Sequence, residues 1–413
     1  MNKLVTGLPI KLRSHIEFAT YRRKRIMTNI SFSQENWGYP PYNRDSFQQI
    51  QSLFPTVRIT RGEGPTYRFN EASRDLSGLT YAGVDGGTRT VEQMLDDTFT
   101  DSFLVVKDGA ILTEIYFNQM GPESHHLMNS VSKSFIGALI GIVAAEGSIQ
   151  VDGLVRDYVP ELAEGAFQDT TIRTALDMTA AVEFGEDYSD LNADFWMEAS
   201  VVGWRPALVK PDAPATLFEY ALSRQRTEQK EGEKYHYRTI LTNVLAMVLE
   251  RATDTPLPKL LQSRIWSKLG PEQDACIVVD RVGFPYVGAG MNACTRDLAR
   301  FGQMIVGNGS IAGHQIVPSE WIDDIRYAER WSVDLFAASD YGGMFEGGHY
   351  RSQFWVADAD RGIIHCIGIH GQSIHMNMTT GTVIVKFSSH PEPADMPLFV
   401  DTFLAMDAIS ESV

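Results

Sequence analysis

The sequence predicts an α/β (α+β) fold in which a helical segment is inserted into a sheet domain, and three changes of texture predict it. Residues 102–117, SFLVVKDGAILTEIYF, are two apolar-rich runs joined by Lys107-Asp108-Gly109, the signature of a β-hairpin. Residues 150–280 carry apolar side chains three and four apart, in DYVPEL, TIRTALDM and TNVLAMVLERAT, as helices do. From about 274 onward CIVVD, RGIIHCIGIHG and GTVIVKF show the β-branched runs of buried strands. The expected division is an N-terminal extension at 1–30, a sheet domain from 31–150 with 280–413, and a mainly helical domain at 151–279. A functional cleft is expected at the seam between them.

At 413 residues the chain is long enough to bury such a core. Its hydrophobic fraction of 44% and charged fraction of 21% are those of an ordinary soluble globular protein. Acids outnumber bases 52 to 36, a net charge of −16, which argues against nucleic acid because a binding face needs a basic stripe. The one basic cluster, Arg22-Arg23-Lys24-Arg25, reads as a solvated tail, with a second methionine, Met27, just after it. Cys276, Cys294 and Cys366 are odd in number and widely spaced. They read neither as a disulfide framework nor as a zinc site, so a reducing cytoplasm is expected. LVTGLPI near the start is too short and too interrupted for a secretory segment. The longest apolar run, FIGALIGIVAA from Phe135 to Ala145, is about half of what spans a bilayer, so no membrane partner is expected.

The chemistry centres on HLMNSVSKSFIG at 126–137. Ser130 and Lys133 stand one helical turn apart at the mouth of a segment, Val131 to Glu146, that is apolar nearly all round and stops at Gly147. A chain this long carries about one Ser-x-x-Lys by composition alone, so the pair must be judged by its surroundings. A serine hydroxyl becomes a useful nucleophile only when something removes its proton. Residues i and i+3 of a helix are neighbours, and burial lowers a lysine's pKa until it can accept that proton near neutrality. The helix N-terminus adds free N–H groups and a positive dipole end for an oxyanion. On these residues alone, a capping serine beside a surface lysine stays open.

A third group is available in EKYHYRTI at 233–240, where Tyr237-Arg238-Thr239 precedes a helical stretch. A tyrosine lowered in pKa by the Lys133 charge could relay the proton to a leaving group, as base and then as acid. Tyr116-Phe117-Asn118 and Tyr350-Arg351-Ser352 fit the same pattern and stand as rivals.

Ser130-Val131-Ser132-Lys133, then Tyr237-Arg238-Thr239, then strand-rich residues toward the C-terminus, resemble the serine β-lactamase and penicillin-binding-protein superfamily. More closely, the chain is similar to its 6-aminohexanoate-dimer hydrolase (nylon-oligomer hydrolase) branch from about Trp37 to about Pro393. The likeness is carried by WGYPPYNR, TDSFLVV, SVSKSF, DYVPEL, LDM followed by EDY, GWR, VLAMVLER, CTRDLAR, GIHGQ and VIVKFSSHP. The resemblance implies a mostly antiparallel sheet flanked by helices, with an inserted all-helical domain. It implies Ser130 as the acylated nucleophile, Lys133 as its base and Tyr237 as the proton relay. It further implies an oxyanion hole from the backbone N–H groups of Ser130 and Ile369, with Tyr188 touching the substrate.

The chain also departs from that pattern. The superfamily's Lys-Thr-Gly is absent; Cys366-Ile367-Gly368 takes its place, and Thr379-Thr380-Gly381 reads as the turn into VIVKF. That disfavours a true β-lactamase or D,D-peptidase. At two positions that shape the branch's amide pocket stand Ala199 and Gly288, which offer no side-chain hydrogen bond to a leaving amine. Ester hydrolysis is therefore expected to be robust and amide hydrolysis substrate-dependent.

His365, His370 and His375 recur every five residues. On a strand that odd spacing alternates faces, so His365 and His370 are expected to point oppositely, and no metal site is expected. His370 either lines the cleft beside the oxyanion strand or is a satisfied structural histidine; with Tyr188 and Gly288 it completes the candidate substrate-binding set. GVDGG and GAG fit no phosphate-binding pattern, and no cofactor is expected. The expected activity is that of a serine hydrolase acting on small linear amides or carboxylic esters. A peptidase on linear or D-residue peptides, and a catalytically idle binding protein on the same scaffold, are the alternatives. A small amide or ester is the expected partner, and a homodimer is the one assembly considered.

Overall fold

The hairpin at 102–117 forms from Thr100–Lys107 and Ala110–Tyr116, with Asp108 and Gly109 turning at φ of +49° and +75°. It lies within an eight-stranded sheet of a computed structural model that describes residues 31–209 and 211–413. The extension at 1–30, with its basic cluster and LVTGLPI, lies outside the described residues. In spatial order the strands are His349–Arg351, Phe354–Asp358, Ile363–Gly368, Gln372–Asn377, Thr382–Ser388, Thr100–Lys107, Ala110–Tyr116 and Asn70–Glu71. Every pairing is antiparallel except the last, where Asn70–Glu71 runs parallel to the hairpin. As expected, residues 379–381 form the turn into Thr382–Ser388, with Gly381 at φ +72°.

The central strands are buried on both faces, which is why they read as continuous apolar runs. Phe103, Val105 and Ile384 face the C-terminal helix Met396–Ser412, where they meet Ala405, Met406 and Ile409. Leu104, Val106, Val383 and Val385 face the main core. There the helix Thr295–Val306 packs closely enough that a Cβ on Gly302 would fall 2.5 Å from Val383.

DYVPEL, TIRTALDM and TNVLAMVLERAT fall on the helical segments Val155–Tyr158, Pro160–Leu162, Ile172–Leu176 and Thr239–Thr253. CIVVD forms a strand, Ala275–Val278, but not in the main sheet. It joins a separate antiparallel sheet of order Thr56–Ile59, Ala275–Val278, Met291–Ala293 and His126–Leu127. The last of these strands delivers the chain to Ser130.

The helix that follows, Val131–Ala145, is buried from Val131 to Val143. It ends as its sequence predicts: Gly147 turns left-handed at φ +83°, and the Ser148 N–H donates back to Val143 O at 3.2 Å. Its depth is set by two glycines. A Cβ on Gly137 would fall 2.0 Å from Ser352 O, and one on Gly141 would fall 2.4 Å from the Trp321 ring. The Trp321 Nε1–H donates to Gly137 O at 3.1 Å across the same contact. Gly137→Ala is therefore expected to cost about 3 kcal/mol, the upper part of the usual overpacking range. A urea midpoint equal to that of the wild type would show instead that the helix is free to shift.

Candidate active site

Ser130 stands at a sharp strand-to-helix turn. Asn129 before it is left-handed at φ +47°, a conformation asparagine tolerates better than most residues. The Ser132 Oγ–H closes the turn by donating to Asn129 O at 2.6 Å, and Met128 N–H donates to Met291 O at 2.9 Å in the small sheet. The end of the strand Ile363–Gly368 presses on this turn. A Cβ on Gly368 would lie 2.6 Å from Met128 O and 3.0 Å from Ser130 N, so only glycine fits. Asn129 Nδ2 then donates to Ile369 O at 2.9 Å, locking turn and strand end together. The Ser130 and Ile369 N–H groups have no protein acceptor among the described residues. Two unpaired donors beside a serine hydroxyl are an arrangement that could hold an oxyanion.

Lys133 is buried, and its Nζ meets three oxygens: Ser130 Oγ at 2.8 Å, Thr239 Oγ1 at 3.0 Å and Gly288 O at 2.6 Å. Thr239 gives its own hydroxyl proton to Glu186 Oε1, so towards Lys133 it can only accept. The Gly288 carbonyl can only accept as well. A neutral amine has two N–H bonds and one lone pair, and with both N–H bonds engaged the lone pair is directed at Ser130. Burial lowers the Lys133 pKa from 10.5 to about 8, with Glu186 and Glu198 pulling the other way. That difference is worth roughly 3 kcal/mol and leaves on the order of a tenth of the lysine neutral at pH 7. An ordinary lysine would be neutral in fewer than about one molecule in a thousand.

The hydroxyl of Tyr237 interacts with Ser130, and Lys133 Nζ lies 5.0 Å from the centre of its ring. The expected lowering of its pKa does not occur. Burial, and then the Glu186 carboxylate, push it well above 10, outweighing the Ser130 interaction. Trp355 is stacked on the ring at 5.3 Å and Tyr350 stands edge-on at 5.8 Å, so little solvent is left to support a phenolate. Tyr237 is thus a phenol with a proton to give. Its rivals are engaged elsewhere: the Tyr116 hydroxyl donates to Glu114, and Tyr350 packs behind Tyr237.

Tyr188 is half-buried and donates to Glu186 Oε1 at 2.9 Å, while its ring meets Phe195 edge-on at 4.9 Å. Gly288 contributes backbone rather than pocket surface. Its carbonyl holds Lys133, its N–H donates to Asn243 Oδ1 at 3.0 Å, and a Cβ there would lie 2.4 Å from Thr239 Cγ2. Ala199 is fully buried.

His370 does not alternate with His365, because the strand ends at Gly368 and His370 lies in a turn at φ +62°. Its Nδ1 donates to His390 O at 2.7 Å and its ring meets Phe47 at 5.2 Å. Burial pushes its pKa down to about 4. His375 pairs across the sheet with His365, their rings 4.8 Å apart. Among the described residues no cluster of three or more His, Cys, Asp or Glu could hold a metal ion.

Sequence reasoning missed the polar layer behind Lys133. Glu186 accepts from Thr239 N–H at 2.6 Å, from the Thr239 hydroxyl and from Tyr188, the pattern of an ionised carboxylate. Glu198 accepts from Asn243 Nδ2 at 2.9 Å, and burial raises its pKa to about 8. A lone acid inside the apolar run Phe195-Trp196-Met197-Glu198-Ala199 was the available signal. Both carboxylates raise the Lys133 pKa, Glu186 more than Glu198. If the neutral lysine is the base, kcat/KM rises with pH through about 8, as a property of the coupled cluster. Removing either charge lets the lysine lose its proton earlier. Glu186→Gln is expected to move that rising limb, measured with a p-nitrophenyl ester, to lower pH, and Glu198→Gln to move it less. A limb that stays in place in both variants would assign it to another group.

Comparison with known proteins agrees with this geometry. Residues 88–404 match the family model described as Beta-lactamase. The chain is 31% identical over 387 residues to the 6-aminohexanoate-dimer hydrolase of Paenarthrobacter ureafaciens, covering 91% of this chain and 94% of that protein. A candidate 6-aminohexanoate-dimer hydrolase from Bacillus anthracis superposes with a TM-score of 0.84 at 27% identity, over 93% of this chain and 97% of that one. EstCE1, a hydrolase with promiscuous acyltransferase activity, superposes with a TM-score of 0.57 over 76% of this chain and 96% of its own; at 15% identity that likeness is one of fold. A family match across most of the chain, joined to a buried Ser-x-x-Lys, makes this protein a serine hydrolase belonging to the β-lactamase family.

Proposed function

We propose that this chain hydrolyses small linear carboxylic esters and amides, with 6-aminohexanoate-dimer-like molecules among the amides, through an acyl-enzyme on Ser130. The observation that carries the proposal is the Lys133 amine, whose two other contacts leave its lone pair facing Ser130 Oγ at 2.8 Å. In acylation the Ser130 proton passes to Lys133 Nζ as Oγ bonds to the carbonyl carbon. The Ser130 and Ile369 N–H groups hold the oxyanion. As the C–N or C–O bond breaks, Tyr237 gives its proton to the departing atom and takes one from the Lys133 ammonium. Water then repeats the sequence on the acyl-enzyme and returns the proton to Ser130. Metal chemistry plays no part in this route.

Ala199 and Gly288 favour esters within this reading, because neither supplies a side-chain partner to an amine that must be protonated as it leaves. Tyr188 and His370 are the proposed substrate-facing side chains. The division into 31–150 with 280–413 and 151–279, a cytoplasmic location and a homodimer belong to the same reading. Its support for the compartment is three buried, unbridged cysteines. No helix among the described residues is long and apolar enough to cross a membrane.

The deciding experiment is intact mass after treatment with a fluorophosphonate, for wild type and Ser130→Ala, with turnover of p-nitrophenyl butyrate and of the linear 6-aminohexanoate dimer. One adduct in the wild type, none in the variant, and at least about a thousandfold loss of ester turnover are expected. No adduct and no turnover in folded wild-type protein would leave an idle scaffold. Cleavage confined to a D-residue peptide panel would favour the peptidase.

A further inference from the structure

Arg205, in the Gly203-Trp204-Arg205 stretch, has no part in the chemistry above and no carboxylate beside it among the described residues. Its residue is 6% exposed, and no acid pairs with it among the described residues. Nη1 donates to Trp204 O at 2.9 Å, Nε is sealed from solvent without an acceptor, and Nη2 has no acceptor among the described residues. The guanidinium carbon lies 4.4 Å from the Trp196 ring centre, 4.7 Å from that of Tyr39 and 5.6 Å from that of Trp37. A Cβ on Gly38 would come within 2.9 Å of both Nη atoms, so only glycine fits against this fork. Burying a charge is costly, and ring contacts return only part of that cost. In a chain with 52 acidic residues, a buried cation with no acid beside it among the described residues is unusual.

The cation is also linked to both proposed substrate-facing residues. Trp196, which stacks on it, donates from Nε1 to Tyr188 O at 3.1 Å. Its charge also acts on His370, the residue after Ile369, and Phe47 touches both Trp37 and His370. A planar guanidinium with free N–H groups, in a dry aromatic box, matches a carboxylate better than any neutral group. We propose that Arg205, boxed by Trp37, Tyr39 and Trp196, is a carboxylate subsite, so that the preferred substrates are linear esters or amides carrying a free carboxylate. This rests on the hydrolase reading above and narrows its substrate class.

The test is a matched ester panel on the full chain. One pair is the mono-p-nitrophenyl ester of adipate and its methyl-capped diester, with the carboxylate on the acyl side. The other is the butyryl ester of 4-hydroxybenzoate and that of 4-hydroxybenzamide, with the carboxylate on the leaving side. In the wild type, kcat/KM for the charged member is expected to exceed that of its neutral partner at least about tenfold in one pair, as a charge-assisted hydrogen bond allows. In Arg205→Gln that ratio should fall to about one, and in Arg205→Lys, which keeps the charge without the fork, to an intermediate value. No preference in the wild type, or a preference that survives in Arg205→Gln, would overturn the subsite. If Arg205→Gln does not fold, the wild-type ratio and its fall in Arg205→Lys decide in the same way. Ser130 labelling with turnover of the neutral esters but no charge preference would sink the subsite alone; absence of labelling and turnover would sink the hydrolase reading itself.

Discussion

The contact between the Lys133 amine and the three oxygens of Ser130, Thr239 and Gly288 constrains much of the surrounding structure. An amine in this dry interior must either carry a compensated charge or be neutral with its N–H groups engaged. Both demands are met by segments far apart in sequence. Glu186 compensates the charge and takes the Thr239 hydroxyl proton, which fixes what Thr239 can offer the lysine. Asn243 ties the Gly288 N–H to Glu198, so the loop carrying the Gly288 carbonyl cannot drift. Gly288 must be glycine for this approach, since a Cβ would collide with Thr239. Losing any one partner would leave a buried donor unpaired, a cost of about 1–3 kcal/mol rather than one hydrogen bond's small net gain.

A second constraint places the serine. The Ser130 helix is seated by Gly137 and Gly141 from one side, while the strand ending at Gly368 presses on its first turn from the other. Asn129 joins them by donating to Ile369 O, so the two free N–H groups belong to one rigid unit. Such placement is what electrostatic stabilisation of an oxyanion demands, because donors already aimed need no reorganisation during the reaction. The strand Phe354–Asp358 adds Trp355, which stacks on Tyr237 and helps keep it a phenol. The sheet thus contributes to both the charge-holding and the proton-donating sides of the site.

Where function depends on near neighbours in the chain, it was legible beforehand. Ser130 and Lys133 are one turn apart, the helix they open is apolar on every side, and Gly147 ends it. The hairpin at 102–117 and the strands at 363–368 and 382–388 followed from turn chemistry and β-branched runs. Tyr237 was legible only as one of three tyrosines in similar settings; its interaction with Ser130 separates it from Tyr116 and Tyr350. That CIVVD pairs in a separate small sheet was not legible, because a short apolar strand carries no mark of which sheet it will join. His370 was read as a strand residue because the left-handed turn after Gly368 leaves no trace in the apolar pattern around it.

The sequence by itself determined which segments are helix and strand around the nucleophile, since period, turn residues and a terminating glycine act within a few residues of one another. It also carried the serine and the lysine, set three apart by the geometry of a helix. Only the tertiary structure decided their chemistry. The lowered pKa of Lys133, the raised ones of Tyr237 and Glu198, and the aromatic enclosure of Arg205 depend on burial and on partners from distant segments. Desolvation and Coulomb energy depend on distance in space, and spacing along the chain gives no measure of either.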